Sequence, residues 1–214
     1  MIRAAAATLV LFAAAGVAAG ASETAISDEA RKLIDLTRET RATYSLVVMN
    51  RVRHPDGSVT EEWGAEFHDG AHHRVETPRD RMIADCVGMT GTYVQMGSAR
   101  TVTGAAVARA ACGVQANTPI QSARVAGQRE TRFGPATRLI VVDADDIRTY
   151  DVAANGALVG ATISGRDGNW KLVSWAVSLG RDVPPDIFSV ESLGKSAVPE
   201  RQRKFVRHPA PSAD

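Results

Sequence analysis

The sequence predicts an α+β fold: an N-terminal helix followed by a curved antiparallel sheet with one short helical insertion. Three observations predict it. Apolar residues recur at helical spacing over one long stretch near the N-terminus, and the period then changes to strict alternation. The alternating segments are short, consecutive and separated by turn residues, as in an antiparallel meander. A sheet of that size must cover an apolar side, and residues 28–41 and the Ala-rich Gly104–Ala111 are the segments able to cover it.

The chain opens with a segment to be set aside before folding is considered. Met1-Ile2-Arg3 is basic, Ala4–Val17 is apolar around Leu9–Phe12, and Ala19-Gly20-Ala21 is a small-x-small site. These are the three parts of a secretory signal peptide, so residues 1–21 are expected to be removed by cleavage after Ala21. The apolar run is too short and too Ala-rich for a membrane span of about 20 residues. No cysteine stands at the cleavage site to carry a lipid anchor, so the mature chain is expected free in solution.

Residues 22–194 make one domain of ordinary size, and 195–214 read as a disordered basic tail. The 25 basic and 24 acidic residues balance once Arg3 is removed, which gives no electrostatic reason to expect nucleic acid as a partner. In an oxidising compartment Cys86 and Cys112 favour a disulfide over two free buried thiols. Such a bridge stabilises the fold by about 3–4 kcal/mol on the chain-entropy model.

Ser27-Asp28-Glu29 supplies a capping hydroxyl and two acids to a helix start, and Ala30, Leu33, Ile34 and Thr37 give the helix its apolar stripe. Tyr44–Val52 alternates, His54-Pro55-Asp56-Gly57 turns, and Val59–Phe67 alternates again. Asp69-Gly70 is a hairpin turn into Ala71–Thr77, followed by Arg81–Asp85 and Thr92–Met96. After the Gly104–Ala111 helix, strands are expected at Ile120–Phe133 (interrupted at Gly127), Thr137–Asp143, Ile147–Val152, Ala157–Ser164 and Trp170–Leu179. In the last of these, Val173, Trp175, Val177 and Leu179 are expected on one face.

No motif for catalysis is present: there is no G-x-S-x-G elbow, H-E-x-x-H helix or P-loop, so an enzyme is not expected. His68 and His72 flank the Asp69-Gly70 turn, but alternation puts His72 and His73 on opposite faces, so the two cannot share one ion. The sequence reading is a solvated hairpin with a half-buried His73, and no metal site. Asp143, Asp145 and Asp146 read as turn formers, since the EF-hand pattern is absent.

An amphipathic helix running straight into a strand (Leu33–Val52), the strands Arg81-Met82-Ile83-Ala84-Asp85 and Thr92-Tyr93-Val94, and the ending Asp182-Val183-Pro184-Pro185-Asp186-Ile187-Phe188 together resemble the LolA/LolB-like superfamily over roughly residues 28–191. That superfamily includes periplasmic lipoprotein carriers and the sensor domain of RseB/MucB regulators. The resemblance implies an eleven-stranded half-open barrel with a helical lid, a periplasmic location, and a lipid, acyl chain or acylated lipoprotein as ligand, without a cofactor. It leaves open an envelope regulatory module that engages a membrane protein. Leu46, Val48, Trp63, Phe67, Val173, Trp175 and Val177 are the residues available to line an apolar groove, the other reading being that they form a closed core.

Overall fold

The computed structural model describes residues 26–38, 42–98, 100–114 and 118–203. The signal segment 1–21 lies outside the described residues, as do 204–214. Helix α1 (Asp28–Arg38) begins where the cap predicts: the Ala30 N–H donates to Ser27 Oγ at 3.2 Å. Ala30 and Ile34 form its buried stripe.

The strands are β1 (Thr43–Arg53), β2 (Val59–Asp69), β3 (His72–Glu76), β4 (Asp80–Asp85), β5 (Thr90–Gln95) and β6 (Thr101–Thr103). Helix α2 (Ala105–Ala111) separates them from β7 (Ser122–Thr131), β8 (Gly134–Val142), β9 (Asp146–Ala153), β10 (Leu158–Gly165) and β11 (Lys171–Gly180). All pair antiparallel into one 11-stranded open sheet, in the order β6-β5-β4-β3-β2-β1-β11-β10-β9-β8-β7. Each half is a meander, and the first and last strands, β1 and β11, join them. The short β6 was not anticipated from the sequence.

Residues opposite one another across an antiparallel ladder share a face. Ala84, His73, His68 and Tyr44 form one such row; Asn50, Ser174, Ala161, Tyr150 and Leu139 form another, on the same side. Both helices sit on this helix face. Ala30 and Ile34 of α1 pack on Leu139, Val141, Tyr150 and Val152, and Ala108 and Ala111 of α2 pack on Ala84. At Gly91 of β5 a Cβ would come within 2.9 Å of Ile83 O and 3.0 Å of Ala108 N, so α2 rests directly on the backbone there. The Cys86–Cys112 disulfide ties the end of β4 to the end of α2. Beyond it the Val114 N–H donates to Thr37 Oγ1 at 3.0 Å, which docks the chain after α2 on the end of α1.

The opposite face carries the C-terminal segment. Ile187 and Val198 pack on Val47, Ala65 and Phe67. Arg74 and Glu76, both fully buried and paired at 2.6 Å, hold this segment by its polar groups. Arg74 donates to the carbonyls of Ile187 (2.6 Å) and Lys195 (2.6 Å), and Glu76 accepts from Ser196 Oγ (2.7 Å) and the Ala197 N–H (2.8 Å). Residues 195–203, expected as the start of a disordered tail, are therefore placed against the sheet at least to Val198, and Glu200–Arg203 forms a short helix α3. The sequence showed no apolar period there because backbone carbonyls and one valine make the contact.

Among the described residues no helix is long and apolar enough to cross a membrane.

Candidate functional site

The seven residues expected in one groove divide between the two faces. Leu46 and Val48 point to the helix face, opposite Glu66 and Gly64 of β2. Trp63, Phe67, Val173 and Trp175 point to the other: Trp63 and Trp175 flank Met49 from either side, and Val173 stands opposite Arg51. A β-bulge between Val47 and Val48 on the β1–β11 ladder leaves Val177 as the extra residue, packed near Val47 and Phe67. It also returns Leu179 to the helix face opposite Leu46, which corrects the expected run of Val173, Trp175, Val177 and Leu179 on one side. Phe67 is buried in one cluster with Ile187 and Val198.

Two cavities, one on each face, contain residues expected in the groove. On the helix face, α1 packs on β7–β9 and α2 on β3–β5, to either side of β1 and β11 in the sheet order. A cavity of about 210 Å³ lies there, lined by Leu46, Val48, Val75, Leu172 and the carboxylate-bearing Glu66. On the opposite face a cavity of about 440 Å³ is lined by Val173, Trp175, Phe133, Thr162, Arg138 and Asp151. Two of the seven expected residues line each cavity.

The cavity beside Trp175 is apolar on the β11 side and charged on the β8–β9 side. Arg138 Nε donates to Asp151 Oδ1 at 3.0 Å, and Arg129 Nη1 lies 3.5 Å from Asp151 Oδ2. Gly160 faces this carboxylate: a Cβ there would come within 3.0 Å of Asp151 Oδ2. The guanidinium of Arg51 lies 5.9 Å from the centre of the Trp175 ring, in cation–π range. With Arg132 and Glu130 also in the lining, cations outnumber anions by one.

Sequence reasoning missed a polar cluster beneath the helix face. His68 on β2 and His73 on β3 are direct cross-strand partners, 0% and 1% exposed, with ring centres 4.5 Å apart. The hairpin is not solvated on this side; of His68, His72 and His73 only His72 is exposed, with the turn residues Asp69 and Gly70. His73 Nε2 donates to Glu66 Oε1 at 2.7 Å, and the Tyr44 hydroxyl donates to the same oxygen. Burial depresses His68 from its ordinary 6.5 to about 4, with the nearby His73 adding to the effect. Burial raises Glu66, but the charge and hydrogen bond of His73, with the Tyr44 hydroxyl, outweigh it and leave the carboxyl below its usual range. Burial, with Glu66 alongside, pushes the Tyr44 phenol well up. A signal for this cluster was present in the turn. Asp69 pairs with His72 across a two-residue loop, and that register sets His68 opposite His73.

Asp143 and Asp146 are buried and pair with Arg148, at 3.6 and 2.8 Å, and the Asp145 and Asp146 N–H groups donate to Asp143 Oδ1. They form the turn expected of them, closed by an arginine that the sequence reading did not assign to it.

This chain resembles solved structures of the LolA superfamily. The superfamily protein NE2245 from Nitrosomonas europaea is 9% identical, with 78% of this chain and 99% of that one covered at a TM-score of 0.43. A lipoprotein-sorting protein domain from Vibrio parahaemolyticus is 8% identical, with 78% and 97% covered at 0.41. MucB from Pseudomonas aeruginosa, solved in complex with MucA, is 12% identical, with 79% and 60% covered at 0.38. No family model matches the sequence, and no curated protein matches it.

Proposed function

We propose that this protein is a soluble periplasmic binding protein for the acyl chain of a lipid or lipoprotein, acting as a carrier and not as an enzyme. The observation that carries the proposal is the cavity of about 440 Å³ beside Trp175. Its size falls in the range of about 300–1,000 Å³ typical of ligand sites. Trp175, Val173 and Phe133 offer an apolar wall, where each buried CH₂ of a chain contributes about 0.8 kcal/mol. Arg129 and Arg138 stand at the polar side, where the anionic end of an amphiphile would meet a cationic excess. Export rests on the basic start, the apolar run and the Ala19-Gly20-Ala21 site.

Native mass spectrometry and lipid extraction on protein purified from a periplasmic fraction test the proposal. A co-purifying lipid or acylated peptide is expected, with saturable binding of a fluorescent fatty acid by the delipidated protein. Trp175→Asp should weaken that binding at least tenfold. An empty protein that binds no apolar probe would overturn the carrier reading and favour a protein-interaction module on the same fold.

A further inference from the structure

We propose that Glu66, His68 and His73 form a binding site for a divalent transition-metal ion of the Zn²⁺ class, built between β2 and β3 under the helix face. The site is separate from the acyl cavity, which lies on the opposite side of the sheet.

The argument begins with the backbone. Residues 66 and 68 are two apart on β2 and share a face, and His73 stands directly opposite His68 on β3. Three ligand-bearing side chains are thereby fixed on two paired strands, and their donor atoms lie within 4.8 Å of one another. Two tetrahedral ligand atoms around zinc lie about 3.3 Å apart at Zn–N and Zn–O distances of about 2.0–2.2 Å.

The hydrogen-bond pattern then leaves one ring nitrogen of the cluster open to a metal. His68 Nε2 lies 2.6 Å from the carbonyl oxygen of Gly70. A carbonyl only accepts, so Nε2 carries the proton and Nδ1 presents a lone pair. That Nδ1 is buried and has no hydrogen-bond partner among the described residues. A buried acceptor left without a donor costs free energy unless something else fills it. A ring nitrogen held by a carbonyl on one side and bare on the other is the arrangement of a metal-ligating histidine with its supporting shell.

The other two ligands have different neighbours, and His73 Nδ1 lies 3.9 Å from Cys86 Sγ. Glu66 is held by the Tyr44 hydroxyl, and His73 Nε2 already points at Glu66 Oε1 from 2.7 Å. An ion entering between them takes the place of the proton on His73 Nε2: from the imidazolium that proton leaves to solvent, and from the neutral ring it is taken up again at Nδ1. Two imidazole nitrogens and one carboxylate suit Zn²⁺, Co²⁺ or Ni²⁺ and do not suit Mg²⁺ or Ca²⁺, which prefer oxygen ligands. Glu66 also lines the 210 Å³ cavity of the helix face, which gives the ion a route in and leaves room for water as a fourth ligand.

The test uses the full mature chain, stripped with EDTA and titrated with ZnCl₂ by calorimetry and with CoCl₂ by visible absorption. One Zn²⁺ per chain is expected, with a tetrahedral Co²⁺ spectrum and no response to MgCl₂. His68→Ala and His73→Ala should each lower the Zn²⁺ affinity more than 100-fold. Tyr44→Phe, which removes a supporting contact only, should lower it about 10–100-fold. His72→Ala, on the exposed side of the same strand, should leave it unchanged. In the wild-type chain, imidazole ¹⁵N resonances provide a reading that does not depend on any variant folding. Zn²⁺ should shift Nδ1 of His68 and Nε2 of His73. No stoichiometric binding, or shifts confined to His54 and His72, would overturn the proposal. Loss of the acyl ligand would leave it standing.

Discussion

Arg74 and Glu76 are both withdrawn from water, and each spends its hydrogen-bonding capacity on the C-terminal segment as well as on its partner. Removing one member leaves the other charged and unpaired in a buried place. Arg74→Ala is therefore expected to cost about 3–5 kcal/mol, read as a lower urea midpoint. Replacing both by Met and Leu should cost less than the single change, because no isolated charge remains. His68 gives a second prediction at this scale. In the metal-free chain its folded pKa is about 4 against an ordinary 6.5, so the unfolded state binds the proton first. Tyr44, Glu66 and His73 face it from β1, β2 and β3, and α2 packs nearby with Cys112 in the disulfide. Stability should fall as pH drops through the window from 6.5 to 4, and His68→Asn should flatten that fall in EDTA-containing denaturation series. The individual residues of this cluster were legible in the sequence, but their meeting was not. Alternation says which neighbours on one strand share a face, whereas only the register across the turn brings Glu66 and His68 to His73.

At the scale of elements, α2 has seven residues, too few to be stable alone in water. It is held by the disulfide at one end and by the close approach at Gly91. Reducing the Cys86–Cys112 bridge should lower stability by about 3–4 kcal/mol, seen by comparing denaturation midpoints with and without reductant. Gly91→Val should loosen α2 without unfolding the sheet, because its side chain would strike Ile83 O and the α2 backbone. Near-ultraviolet circular dichroism changing while the far-ultraviolet β signal persists would show this. The strands themselves were legible because turn residues punctuate them: Asn155-Gly156 sits between β9 and β10, and Gly165–Asn169 between β10 and β11. The groove was not. Leu46 and Trp175 both alternate correctly on their own strands, but the phase of one strand relative to the next depends on a bulge with no glycine or proline to announce it.

The whole molecule is two meanders joined along β1 and β11, with β6 and β7 as the edges. β1 is paired on both sides along its length, whereas β6 has three residues and a partner on one side. Amide hydrogen exchange should therefore be slowest in β1, β2 and β11 and fastest in β6, since local opening is cheapest where few paired neighbours must move. This gradient separates the two faces in a single experiment. An acyl ligand beside Trp175 touches β10, β11 and the hairpin between β7 and β8, and should slow exchange in those elements. Zn²⁺ at Glu66, His68 and His73 should slow exchange in β2 and β3 instead. If a fatty acid protects β3–β5 and leaves β10 and β11 unchanged, the ligand sits on the helix face, and the smaller cavity at Leu46 and Val48 opens to receive it.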